Sequence, residues 1–148
     1  MYRSTKKYGH EIGLSACFRQ WKAESHCKLL HGYALAIKFI FASDELDVRN
    51  WVVDFGSLKS LKGWMEDTFD HTLIVAADDP KLTDLLNLER LGLARVVVVS
   101  ATGCEAFAKL VFECTEVWLE ANGYCPRVRL ESVEISEHGA NSAIYTKD

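Results

Sequence analysis

The chain has 148 residues, 49% of them apolar and 26% charged, and a formal net charge of −4. Those proportions are globular, and the length suits one domain over 1–148 that buries roughly two-thirds of its unfolded surface. The acidic balance argues against nucleic-acid or anionic-membrane partners, and no apolar run approaches the ~18 residues of a membrane span.

After a polar, basic lead with no apolar signal core, Glu11 to Phe18 reads as a first strand. Ile12, Leu14, Ala16 and Phe18 share one of its faces. Arg19 to Lys28 is polar and irregular, and runs into Ser25-His26-Cys27-Lys28-Leu29-Leu30-His31-Gly32-Tyr33. That stretch puts a thiol and two imidazoles within six positions, ahead of a glycine that lets the backbone pass close to a neighbour. A thiol is a nucleophile or base only as its thiolate, which nearby imidazole or metal favours. Taken alone, the stretch reads equally as a reactive loop or as a buried cysteine between two surface histidines.

Tyr33 to Ala42 is the clearest strand, with Leu35, Ile37, Phe39 and Phe41 alternating against Ala34, Ala36, Lys38 and Ile40. An acidic turn and the short extended piece Trp51 to Phe55 lead into a helix over Ser57 to Phe69. Leu58, Leu61, Trp64, Met65 and Phe69 form its stripe, and Asp70-His71 follows. Asp79-Pro80 opens a short helix that Gly92 stops. Ala94 to Ser100 is a buried strand or a linker against the core. Thr102 to Glu105 has capping-box spacing and starts a long helix to Glu120, with Phe107, Leu110, Val111, Cys114, Val117 and Trp118 inward and Gly123 as its stop. Arg127 to Ser136 is a strand with a bulge near Ser132, and Asn141 to Thr146 a last extended segment. The order predicts an α+β domain, an antiparallel sheet with helices on one face. Five cysteines without a CxxC pair fit reduced thiols and a cytoplasmic setting.

Four separated pieces together resemble the 6-pyruvoyl-tetrahydropterin synthase / 6-carboxy-tetrahydropterin synthase family over nearly the whole chain. They are Cys27-Lys28-Leu29-Leu30-His31-Gly32, Val53-Asp54-Phe55 followed by Leu58-Lys59, Asp70-His71, and Glu137 eight residues before Tyr145. The cysteine's distance from the His-Gly pair is similar to the 6-carboxy (queuosine-pathway) branch. The resemblance implies the tunnelling (T-) fold, here a four-stranded antiparallel sheet with two main helices on one face, and a homohexamer built as a dimer of trimers. It implies a lyase that eliminates triphosphate from 7,8-dihydroneopterin triphosphate and, in the queuosine branch, also cleaves the side chain to give 6-carboxy-tetrahydropterin and acetaldehyde.

Carried over by motif, Cys27 is the proton-abstracting base, Asp70 and His71 are the paired acid/base relay, and Glu137 anchors the pterin's amino-pyrimidine edge. Glu105 supports the pterin site, with Gly103 standing where relatives carry threonine. Each has a plainer reading: Asp70-His71 as a helix terminus, Glu105 as part of a cap, Glu137 as a solvated edge charge. Arg19, Lys22 and Lys28 flank the loop and are candidates for the triphosphate, with surface charge as their default.

The family's zinc implies three histidines, and here Phe18 and Tyr33 stand at two of those places, leaving His31. Three readings follow. His26, with Cys27, His10 or His138, rebuilds a metal site around His31; or the enzyme works without metal through Cys27, Asp70 and His71; or the protein is a non-catalytic pterin- or nucleobase-binding homologue. The co-occurrence of Cys27, Asp70, His71 and Glu137 favours a working site, since a chain kept for shape alone has no physical need of that set.

Overall fold

The longest strand organises the sheet because it is paired along both of its edges. In the computed structural model, which describes residues 1–148, this is β3 (His31–Ser43). Before it come β1 (Tyr2–Tyr8) and β2 (Leu14–Phe18); after it come α1 (Lys59–Phe69), β4 (Thr72–Ala76), α2 (Leu82–Arg90), β5 (Val96–Val99), α3 (Cys104–Ala121), β6 (Arg129–His138) and β7 (Asn141–Tyr145). One edge of β3 takes both β1 and β2 antiparallel, with Tyr8 opposite Ile37 and Leu14 opposite Leu35. Residues 9–13 leave the ladder between them in a short 3-10 turn closed by Gly13. The other edge takes β6, which carries β7. These strands are the expected antiparallel sheet, and α1 and α3 cover its apolar face.

The alternation along β3 places that face. Leu35, Ile37, Phe39 and Phe41 point inward and are fully buried, and every second residue of a strand shares a face. Against them pack Leu58, Leu61, Met65 and Phe69 of the α1 region and Phe107, Val111, Phe112 and Trp118 of α3. Phe107 is the hub, edge-on to Phe18 at 5.0 Å and to Phe69 at 5.5 Å between ring centres. No helix is long and apolar enough to cross a membrane.

Four details differ from the sequence expectation. The basic lead is a strand: β1 finds the open edge of β3, and Tyr8 packs edge-on to Phe39 at 6.1 Å. Beyond the antiparallel sheet lies a parallel wing, β4 on β2 and β5 on β4. β4 is buried along its whole length, so it shows no alternation for sequence reading to catch. Its Leu73 and Val75 meet Leu85 of α2 on the opposite face from Ile74, which joins the main core. Val117 of α3 is 68% exposed, and the helix turns Ala108, Phe112 and Thr115 inward instead. The capping box is absent too: Gly103 at φ +110° is the N-cap residue, and the Thr102 hydroxyl donates to the Arg19 carbonyl at 2.7 Å.

The bulge is where the pattern puts it. Ile40 pairs with Ser132 and Phe41 with Leu130, which leaves Glu131 as the extra residue. Its carboxylate accepts from Arg3 of β1 at 2.7 and 2.8 Å. Phe107→Ala is expected to cost about 4 kcal/mol in urea unfolding, whereas Val117→Ala stays within about 0.5 kcal/mol.

Candidate functional site

The inward row of β3 does not stop at the core. Continuing back from Leu35 it presents Tyr33 and then His31 at the sheet's end, beside Phe18. The rings of His31 and Tyr33 lie 5.3 Å apart, and Phe18 is 5.4 Å from the first and 6.0 Å from the second. On β6, Val133 and Ile135 are buried, and the same alternation brings half-buried Glu137 to this end. Cys104, first residue of α3, completes the group. Burial, the Glu137 charge and a hydrogen bond to that carboxylate push the Cys104 thiol up to about 12, so it is a neutral S–H donor at pH 7. Burial, then the negative charge of Glu137, raises the Tyr33 phenol and keeps it protonated. Cys27, Cys104 and Glu137 surround that one phenol.

Cys27 sits half-buried in a 3-10 turn, His26–Lys28, whose start is capped by the Ser25 hydroxyl accepting from the Cys27 N–H at 3.3 Å. The Gln20 N–H donates to the Cys27 carbonyl at 3.0 Å. Arg19 grips Asp79 with two parallel bonds, Nε to Oδ2 at 2.9 Å and Nη2 to Oδ1 at 2.6 Å, and its Nη1 donates to the Lys28 carbonyl at 3.2 Å. The Asp79 side chain is only 2% exposed, and the guanidinium bonds hold its carboxyl below the usual range. As a candidate for phosphate, Arg19 is thus already engaged, and Lys22 lies 3.6 Å from Asp78.

Asp70 and His71 follow α1. His71 takes φ +55°, a left-handed backbone uncommon outside glycine, and is pinned there by β2. Its N–H donates to the Ser15 carbonyl at 2.6 Å, while the Ser15 N–H donates to Asp70 Oδ1 at 3.3 Å. Asp70 Oδ1 lies 2.7 Å from His71 Nδ1; a carboxylate only accepts, so Nδ1 carries the proton and Nε2 is left as the free base. That bond is the main cause lowering the Asp70 carboxyl. The plainer role holds as well: Asp70 caps the helix, its N–H donating to the Glu66 carbonyl at 2.9 Å, and Arg95 Nη2 donates to the carbonyls of Glu66, Asp67 and Asp70. The imidazole is left outward, 85% exposed, in a cleft of about 370 Å³ with Cys17, Leu30, Gly32, Leu88 and Leu93. Cys17 and Gly32 face away from Phe18 and Tyr33, so the dyad and the Cys27–Glu137 group occupy opposite faces of β2 and β3. One chain does not bring His71 to Cys27.

Glu105 is exposed on the first turn of α3 and makes no side-chain bond. His26 is exposed on the thiol turn. His31 is prepared as a donor: Nδ1 donates to the Leu29 carbonyl at 2.7 Å, leaving Nε2 free. Its neighbours are a phenyl ring and a protonated phenol, and no group of three His, Cys, Asp or Glu in the chain is arranged to hold a metal ion. These residues do not fit the three-ligand zinc site that the family resemblance implies. Sequence reading missed the contact of Cys104 with Glu137 and the Arg19–Asp79 pair. Both join residues far apart in the chain and carry no local spacing.

The model of the 6-pyruvoyl tetrahydropterin synthase family matches residues 9–148, so the chain belongs to that family of pterin synthase enzymes. Among its relatives is the 6-carboxy-5,6,7,8-tetrahydropterin synthase of Aquifex aeolicus, 29% identical over 139 residues that span 92% of this chain and 85% of that one. The enzyme of the same name from Rickettsia conorii is 32% identical over 77 residues, 51% of this chain and 56% of the relative. An uncharacterized protein of Wolinella succinogenes superimposes with a TM-score of 0.84 at 23% identity, covering 99% of this chain and 98% of that one. The 6-pyruvoyl tetrahydropterin synthase of Plasmodium falciparum does so with 0.68 at 14% identity, covering 98% of each chain. The fold is the tunnelling fold.

Both lowered carboxyls, Asp70 and Asp79, add stability that is full above their unfolded value of about 4 and is lost as pH falls through their folded values. Asp79→Asn is expected to lower unfolding free energy at pH 7 by about 1–3 kcal/mol and to flatten the acid limb seen in urea melts between roughly pH 5 and 2.

Proposed function

We propose that the protein is a lyase of the 6-carboxy-tetrahydropterin synthase type. Its substrates are 7,8-dihydroneopterin triphosphate, in the queuosine/7-deazapurine pathway, and one water, and its products are 6-carboxy-tetrahydropterin, acetaldehyde and triphosphate. The gathering of Cys27, Tyr33, Cys104 and Glu137 at one end of the sheet carries this reading. Glu137 accepts paired N–H donors from the amino-pyrimidine edge of the pterin, with the Cys104 S–H helping to aim it. Half-buried Tyr33 walls the ring, backed by the buried Phe18. Cys27, on its turn, takes the side-chain proton, and no step is assigned to a metal.

The proton relay, Asp70–His71, comes from a second copy in this proposal. The outer edges of β1 and β7 bound the antiparallel sheet and neither has a partner within the chain. Copies joined edge to edge close a ring and remove both open edges, as the hexamer of the tunnelling fold requires. An outward-facing imidazole at 85% exposure is then supplied to a neighbour's thiol. One observation favours a second reading, a pterin-binding protein without turnover: Phe18 and Tyr33 leave His31 alone as a nitrogen donor.

Triphosphate release from dihydroneopterin triphosphate, followed with and without added zinc, separates the two. Turnover abolished by Cys27→Ala is the expected result; micromolar pterin binding with no turnover in either condition favours the binding protein. Co-assembled Cys27→Ala and His71→Ala chains are expected to recover activity that neither homomer has. A mixed oligomer as inactive as its parents would sink the shared site.

A further inference from the structure

The turn that carries Cys27 is tied to the remainder of the chain by few bonds, and only one of its anchors is buried. Trp21 and Lys22 reach the exposed Asp78, at 3.1 and 3.6 Å, the Arg19 carbonyl accepts from the half-buried Thr102, and the remaining bonds of the turn are internal to it. The buried anchor is the two-bond contact of Arg19 with Asp79. From Arg19 the restraint runs two ways. Toward the thiol, Nη1 holds the Lys28 carbonyl, and the next residue, Gln20, holds the Cys27 carbonyl through its N–H. Toward the carboxylate, the Arg19 carbonyl accepts from Thr102, and the Gln20 side chain fills the space beside Gly103. Cys104, which follows, lies beside Glu137.

We propose that Arg19, fixed by Asp79, is a positioning residue that sets where the Cys27 thiol stands relative to Glu137. The inference rests on the reading of Cys27 as the base. A planar guanidinium gripping a carboxylate with two bonds fixes direction as well as distance, which an ammonium does not. Glycine at position 103 is required by its own backbone, at φ +110°, and a Cβ there would also push the Gln20 amide aside.

The test uses full-length Arg19→Gln, Arg19→Lys and Asp79→Asn, with Phe112→Leu as a core variant that lowers the melting temperature without touching the turn. Three quantities are read well below melting: kcat, KM, and the rate of iodoacetamide labelling at Cys27, followed on its own peptide. For Arg19→Gln and Asp79→Asn, kcat should fall about 10–100-fold with KM within about threefold, and Cys27 labelling should shift at least about fivefold. Arg19→Lys should fall between them and the parent, because it keeps the charge and loses the fork. The proposal is overturned if these variants only melt earlier, with kcat and labelling unchanged as in Phe112→Leu, or if the loss is confined to KM. Should the parent show no turnover, the lyase reading fails by itself, and labelling still decides whether Arg19 and Asp79 place the thiol. If Arg19→Gln does not fold, Arg19→Lys and Asp79→Asn carry the same outcomes.

Discussion

Two-residue alternation along one strand governs this molecule. β3 is paired on both edges, so its side chains are divided between two faces with no freedom to slip. A one-residue shift would move Leu35, Ile37, Phe39 and Phe41 out of the core. The same division sends Tyr33 and His31 to the core side and Gly32 to the other. The candidate site is therefore the end of the hydrophobic core, where the row of apolar side chains gives way to polar ones. Its Tyr33 and Glu137 stand on strands rather than on loops, which keeps their spacing rigid.

Phe18, at a place where the family resemblance implies a metal ligand, belongs to that core. Phe18 is wholly buried and packs edge-on against Phe107, so the aromatic ring contributes to stability where a ligand would have contributed to chemistry. His31 keeps the tautomer and the free nitrogen of a ligand, yet its companions are rings. What remains at the site is a carboxylate, a neutral thiol, a phenol and a half-buried cysteine on a clamped turn. That set is suited to holding a flat polar heterocycle.

The dyad shows a different economy of structure. Asp70 and His71 are locked by backbone bonds to Ser15 and by a left-handed residue that the parallel pairing of β2 with β4 requires at the junction. Arg95 shares the helix carbonyls with the Asp70 N–H, and the imidazole's one bond within its own chain is to Asp70. A rigidly held, outward-facing base over an apolar cleft is a surface that another copy can use.

Periodicity alone recovered β3, α1, most of α3 and the bulge beside Ser132, since each is written in residues close together in the chain. The basic lead hid β1, because Arg3, Lys6 and Lys7 are tolerated on an edge strand whose pairing comes entirely from β3. β4 escaped because a strand covered on both faces has no alternation. The order of the elements determined the α+β class, and the resemblance carried by four separated motifs pointed to the family and to the residue types available for chemistry. Tertiary structure alone decided that Cys104 meets Glu137, that Arg19 belongs to Asp79, and that Cys27 and His71 lie on opposite faces of one sheet. The two contacts join residues 33 and 60 positions apart, and no local pattern encodes which distant partner a folded strand or turn will face.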